Sequence, residues 1–272
     1  MQQRIALGIE YQGTDFHGWQ KQSHDPVTLQ AALEAALSEV AQTPIHVICA
    51  GRTDSGVHAT YQVVHFDCPV DRPLKAWMLG GNRHLPDALS VKWARAVSAD
   101  FHARFSAVYR RYQYLLYLDI SRPALFADCL THYRLPLDIA AMQTAADLLL
   151  GEHDFSSFRA QDCQARTPIR HLQQLQLQQQ GPYVCIQVQA NAFLKHMVRN
   201  LVGSLLAIGN GSQSPQWIVD VLHARHRGAA GITAPPNGLF LVDVGYPAQY
   251  ALPRPNLSTP IPFPAAQSAG RS

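Results

Sequence analysis

The sequence predicts an α+β fold built on an antiparallel or mixed sheet, and three observations carry that prediction. Residues 5–11 alternate at the period of a strand, the segment after Pro26 repeats its apolar residues at the period of a helix, and residues 174–188 read as a hairpin around Gly181-Pro182. A doubly wound fold would alternate strand and helix more strictly than this chain does.

Along the chain, Ile5, Leu7, Ile9 and Tyr11 alternate with Ala6, Gly8 and Glu10, the pattern of a half-buried strand. Leu29, Ala32, Leu33, Ala36, Leu37 and Val40 then recur at helical spacing, so a helix of about three turns lays its apolar stripe on the sheet. Ile45 to Ala50 and Tyr61 to Asp67 read as strands on either side of a glycine-bracketed turn. The second half repeats this order loosely. A strand is expected over Arg111 to Leu118, a helix through Ile139, Met142, Ala146 and Leu149, and then the hairpin, whose glutamines face water. Met197 to Ile208 reads as a long apolar helix ended by Gly209-Asn-Gly211, and Ser214-Pro215 opens another through Trp217, Val221 and Leu222. After Tyr250 the chain turns proline-rich, and residues 251–272 are expected to be a disordered tail.

Composition bounds the function only loosely. At 272 residues and 47% hydrophobic, the chain can bury one large core or two smaller ones. No apolar stretch approaches the roughly 20 residues of a membrane helix, and Met1-Gln-Gln-Arg4 leads into a strand rather than a signal sequence. A cytoplasmic protein without membrane contact is expected. Five cysteines without close pairs suggest neither a disulfide framework nor a zinc site. His223 and His226 lack the acidic or thiol partners a metal needs, so no metal is expected. A net charge of +3 is uninformative, and the preference for Arg over Lys, 18 against four, suits phosphate contacts but equally follows from coding bias.

The most informative segment is Gly51-Arg-Thr-Asp-Ser-Gly-Val-His58. An Asp in a turn usually bonds nearby backbone amides. Here Arg52 lies beside it, Gly51 and Gly56 permit close backbone approach, and a strand follows, which is where catalytic groups tend to be mounted. Further blocks are Phe101-His-Ala-Arg-Phe-Ser-Ala107 followed by Arg111-Tyr112-Gln-Tyr114, Gly151-Glu-His-Asp-Phe155, Asn191-Ala-Phe-Leu-Lys-His-Met-Val-Arg-Asn200, and Gly238-Leu-Phe-Leu-Val242. Together these resemble the tRNA pseudouridine synthase A family in order and spacing over roughly residues 4–250. Ser55 stands where that family often carries Ala.

The resemblance implies a pseudouridine synthase fold: two α+β subdomains, 1–107 and 108–250, sharing one extended, mainly antiparallel sheet with flanking helices and a central cleft. It implies a homodimer that isomerises uridines on the 3′ side of the tRNA anticodon stem-loop, positions 38 to 40 of the tRNA, without a cofactor. Asp54 would act at C1′ or C2′ of a flipped nucleotide, as nucleophile, electrostatic partner or base. Arg199 would pair with it from the opposite half, keeping the acid ionised in a closed pocket. Tyr112 would stack on the uracil and handle the C5 proton, Leu239 would pack the base, and Arg52 would contact RNA or help extrude the nucleotide. Arg83, Arg104, Arg110, Arg111 and Lys195 are candidates for the RNA surface. Without the resemblance, Tyr112 and Leu239 read as core residues and Arg199 as a helix-surface cation. Two competing readings stay open. A noncatalytic RNA binder would have no use for Asp54, and a nucleoside glycosidase would need a second acid such as Asp154 or Asp162.

Overall fold

The computed structural model describes residues 3–22, 27–68 and 70–255. One ten-stranded sheet runs through the molecule in the order β4-β1-β3-β10-β5-β9-β8-β7, with short strands β2 and β6 added beside β3 and β5. The first half supplies β1 (Gln3–Tyr11), α1 (Leu29–Ala41), β2 (Ile48–Cys49), β3 (His58–Cys68), α2 (Gly81–His84) and β4 (Leu89–Val97). The second supplies β5 (Tyr109–Leu118), β6 (Thr131–Tyr133), α3 (Ile139–Asp147), β7 (Gly151–Asp154), β8 (Ile169–Gln180), β9 (Tyr183–Ala190), α4 (Met197–Gly209), α5 (Trp217–Ala224) and β10 (Leu239–Gly245).

All neighbours are antiparallel except β3 with β10 and β5 with β6. The β3/β10 pair joins the halves, with Phe240 opposite His58 and Leu241 opposite Ala59. Strand β10 comes last in sequence yet lies in the middle of the sheet, sealing two locally assembled sheets into one.

The α1 prediction holds: Leu29, Leu33 and Leu37 are fully buried, and Thr28 caps the helix by accepting from the Ala31 amide. The hairpin also forms as read, with Gly181 at φ +56° in its turn and Gln176 and Gln178 exposed. Strand β1 departs from the half-buried expectation. Ala6 is as buried as Leu7, and Trp93 lies where a Cβ on Gly8 would sit, so both faces of β1 are covered. Ile45 to Ala50 yields a strand of only two residues.

Among the described residues, strand β8 has no further strand on its outer side beyond residue 172, because β7 pairs only Ile169 to Leu172. Gln143 of α3 covers part of that edge, donating to the Leu175 carbonyl at 3.1 Å and accepting from the Leu177 amide at 2.9 Å. Of the proline-rich tail, residues 251–255 are seen against the sheet, with Leu252 packed on the core and Tyr61 donating to the Pro253 carbonyl. The rest of that expected tail, 256–272, lies outside the described residues.

Candidate active site

The Asp54 turn precedes β3, on the side where β10 also begins, so the carboxylate sits over the joint between the halves. Its backbone is heavily braced. The Trp19 amide donates to the Thr53 carbonyl (3.0 Å), the Val57 amide to the Asp54 carbonyl (3.2 Å), and Gln62 Nε2 to the Gly51 carbonyl (2.6 Å). Tyr11 and Thr53 hydroxyls bond at 2.9 Å, and Ser55 donates to the Phe16 carbonyl at 3.1 Å, so the serine hydroxyl ties the turn to the 12–20 segment. Gly56, at φ +75°, takes a conformation that a side chain would strain. His58 is fully committed: Nδ1 accepts from the Gly13 amide (3.0 Å) and Nε2 faces the Asn237 carbonyl (3.1 Å), which fixes the tautomer with the proton on Nε2.

Arg199 reaches the carboxylate from the other half. Its Nη1 lies 3.4 Å from Asp54 Oδ2 while Nε donates to the Ala234 carbonyl at 2.7 Å. The Ala234 amide returns a bond to the Arg199 carbonyl (3.1 Å), which fixes the direction of the side chain. That arrangement depends on Gly203, whose Cβ, if present, would lie 1.7 Å from the Ile232 carbonyl oxygen. It depends also on buried Asn200, which donates to the Phe158 carbonyl (2.7 Å) and accepts from Thr233 (2.7 Å). Arg199 is therefore not the helix-surface cation that its sequence context alone suggests, and Lys195, four residues before it, pairs with Asp162 instead.

Tyr112, on β5, is buried and meets Phe193 edge-on at 5.1 Å between ring centroids. Its hydroxyl lies near Gly51, at the base of the Asp54 turn. Burial first, and then the Asp54 charge, raise the phenol above its ordinary pKa, so it enters any reaction as an intact O–H. Leu239 is buried in β10 opposite Tyr114.

The cations divide into two groups. Arg52 is exposed and makes no side-chain bond to the described residues, and Arg104 is exposed beside it, both acting on the buried Cys49 thiol. Arg83 is exposed on α2, in the segment between β3 and β4. Arg110 and Arg111 correct the expectation of an RNA-facing pair. Arg110 is buried, and its guanidinium donates to the carbonyls of Ala50, Arg104, Ala107 and Asn191, a staple between the start of the Asp54 turn and the segment leading to Arg199. Arg111 points to the opposite face of β5, bonded to Gln189 and 3.8 Å from Asp243. The two are neighbours on opposite faces of β5, Arg110 buried and Arg111 half-buried, which the charge alone did not reveal.

Sequence reasoning passed over His196. It stands three residues before Arg199, so one helical turn carries both toward the carboxylate, a signal the spacing did contain. The acids that a glycosidase would need are engaged elsewhere: Asp154 by the Ser156 amide and Arg225, Asp162 by Lys195. Among the described residues no three His, Cys, Asp or Glu side chains gather as a metal site, and no helix is long and apolar enough to cross a membrane.

A carboxylate and an arginine thus face each other over the central joint of the sheet, and a family model described as tRNA pseudouridine synthase matches residues 8–106 and 145–247, which gives the chain a pseudouridine synthase fold. Relatives named tRNA pseudouridine synthase A align over nearly the whole chain. That of Pseudoalteromonas atlantica is 52% identical over 92% of this chain and 95% of its own, and that of Dechloromonas aromatica 53% identical over 93% and 96%. That of Pseudomonas aeruginosa is 52% identical over 92% and 88%. The chain belongs to the tRNA pseudouridine synthase A family. A chain of a solved Cbf5-Nop10-Gar1 complex superposes with a TM-score of 0.35 at 11% identity, over 74% of this chain and 45% of that one, too loosely to bear on the argument.

Proposed function

We propose that this protein converts uridine to pseudouridine in tRNA, on the 3′ side of the anticodon stem-loop, with Asp54 acting on the ribose of a flipped nucleotide. The observation that carries the reading is the Asp54 carboxylate at 3.4 Å from Arg199, contributed by opposite halves and partly open to solvent. Breaking the bond between N1 and C1′ leaves positive charge on the sugar, and a carboxylate there stabilises it, adds to C1′ or removes the C2′ proton. The base then turns and rejoins through C5, with no net redox change, so no cofactor is needed.

Tyr112 and Phe193 supply an aromatic wall for the uracil, where stacking contributes roughly 1–3 kcal/mol. Leu239 packs the base from the β10 side. Because the phenol is held as O–H, Tyr112 donates or relays a proton rather than starting as a phenolate. Arg52 and Arg104, exposed beside the turn, with Lys195 and Arg83 further out, bind the RNA backbone and repay the few kcal/mol of base extrusion. The substrate is read chiefly by shape, the enzyme works as a homodimer, and its place is the cytoplasm with tRNA.

Release of tritium from uracil C5 of labelled, unmodified tRNA tests the reading. A carbon-linked isomer of unchanged mass is expected. Free uracil would indicate hydrolysis, and no release from any unmodified tRNA would end the enzyme claim.

A further inference from the structure

The residue that the reaction outlined above leaves unused is His196. It begins α4 in a left-handed conformation, φ +61°, which a histidine adopts only at some cost. That backbone directs the imidazole inward. Its Nε2 lies 3.6 Å from Asp54 Oδ2, the same oxygen that Arg199 Nη1 approaches at 3.4 Å. No described side chain makes an ion pair with Oδ1. One carboxylate oxygen is thus flanked by two nitrogens from a single helical turn while the other is left for a ligand.

We propose that His196 is a positioning residue for Asp54: neutral, it helps hold the carboxylate with Oδ1 toward the substrate, and protonated, it draws the carboxylate into a tighter ion pair and slows the reaction. This rests on the reading of Asp54 as the reacting group. The charged groups facing the imidazole are Asp54 from the turn, Arg199 from α4, Lys195 beside it in sequence and Asp162 from the 159–163 loop. Burial holds the imidazole below its ordinary pKa, Asp54 and Asp162 oppose that, and Arg199 and Lys195 add to it. The ring is therefore neutral at pH 7 and gains its proton only below the ordinary imidazole range, which gives activity an acid limb that belongs to His196.

The test is the single-turnover rate of tritium release from labelled tRNA between pH 5 and pH 8, for wild type and His196→Asn. Asn tolerates the left-handed backbone and cannot titrate. Wild type is expected to lose rate below an apparent midpoint under 6.5, approaching tenfold per pH unit, whereas the His196→Asn profile, scaled to its own plateau, lacks that limb. Superposable scaled profiles would overturn the inference and leave the function intact. Wild type silent at every pH would overturn both. A second measurement does not need activity or a folded His196 variant: the imidazole titration of His196 by NMR, in wild type and Asp54→Asn. Removing the facing negative charge is expected to lower its midpoint, and an unchanged midpoint would show that the two groups do not interact.

Discussion

At the scale of single residues, the candidate site is a carboxylate whose surroundings are fixed by buried polar groups such as Arg110 and Asn200. Arg110 illustrates this best. Its guanidinium holds the Ala50 carbonyl, just before the Asp54 turn, and the Asn191 carbonyl of the opposite half at once. Burial lowers its pKa, yet the group remains far from titrating at neutral pH. Lysine cannot reproduce that fork, so Arg110→Lys is expected to cost about 2–4 kcal/mol by urea unfolding and to reduce tritium release. A change within about 0.5 kcal/mol would show the staple to be dispensable. Asn200 offers a second case, since Asn200→Ala removes the donor to the Phe158 carbonyl and the acceptor of the Thr233 hydroxyl proton, leaving that hydroxyl only its bond from Arg227. About 1–3 kcal/mol of stability is expected to go with it, measured in the same way.

At the scale of elements, the 101–107 segment depends on one neutral histidine. His65, buried in β3, accepts a hydrogen bond from the Ala103 amide at 3.1 Å, so Nδ1 must be unprotonated. Burial, with the nearby His102 and Arg4, lowers its pKa to about 4, and Asp67 only partly opposes this. Between that value and the ordinary 6.5 the unfolded chain binds more protons than the folded one, so stability rises with pH across this window. The contribution is complete above about 6.5 and is lost as pH falls toward 4, on the order of 2 kcal/mol after allowing for partial solvent screening. Urea unfolding at pH 7 and pH 5 measures it, and His65→Gln is expected to flatten the difference. An equal difference in that variant would assign the effect to other groups. The same scale shows what sequence could reveal. Helix α1 and the 169–190 hairpin were legible because their apolar periods are local, and so was the Asp54 turn with its glycines. The short β7, the edge cover by Gln143 and the burial of Arg110 were not, because each is decided by contacts from distant parts of the chain.

At the scale of the whole molecule, β10 is the closing piece. Its parallel pairing with β3 joins the halves, and the segment entering it also supplies Ala234, which holds Arg199, and Asn237, which holds His58. Closure of the sheet and assembly of the site therefore draw on the same segment. We expect heat or urea to unfold both halves in a single transition, with the fluorescence of Trp19, Trp77, Trp93 and Trp217 coinciding with far-ultraviolet circular dichroism. Two separated transitions would mean that the halves are independent units. The position of β10 could not be read from its sequence, since an apolar strand of seven residues carries no mark of its neighbours.

The central claim is that the carboxylate of Asp54 carries out the chemistry and does not serve binding. Its most direct test compares wild type with Asp54→Asn for tritium release from C5-labelled tRNA, alongside tRNA affinity at one fixed salt concentration. The account predicts that release disappears while affinity is largely unchanged, because the amide keeps the shape and removes only the charge. Asp54→Asn protein that still forms pseudouridine at a rate near wild type would contradict it.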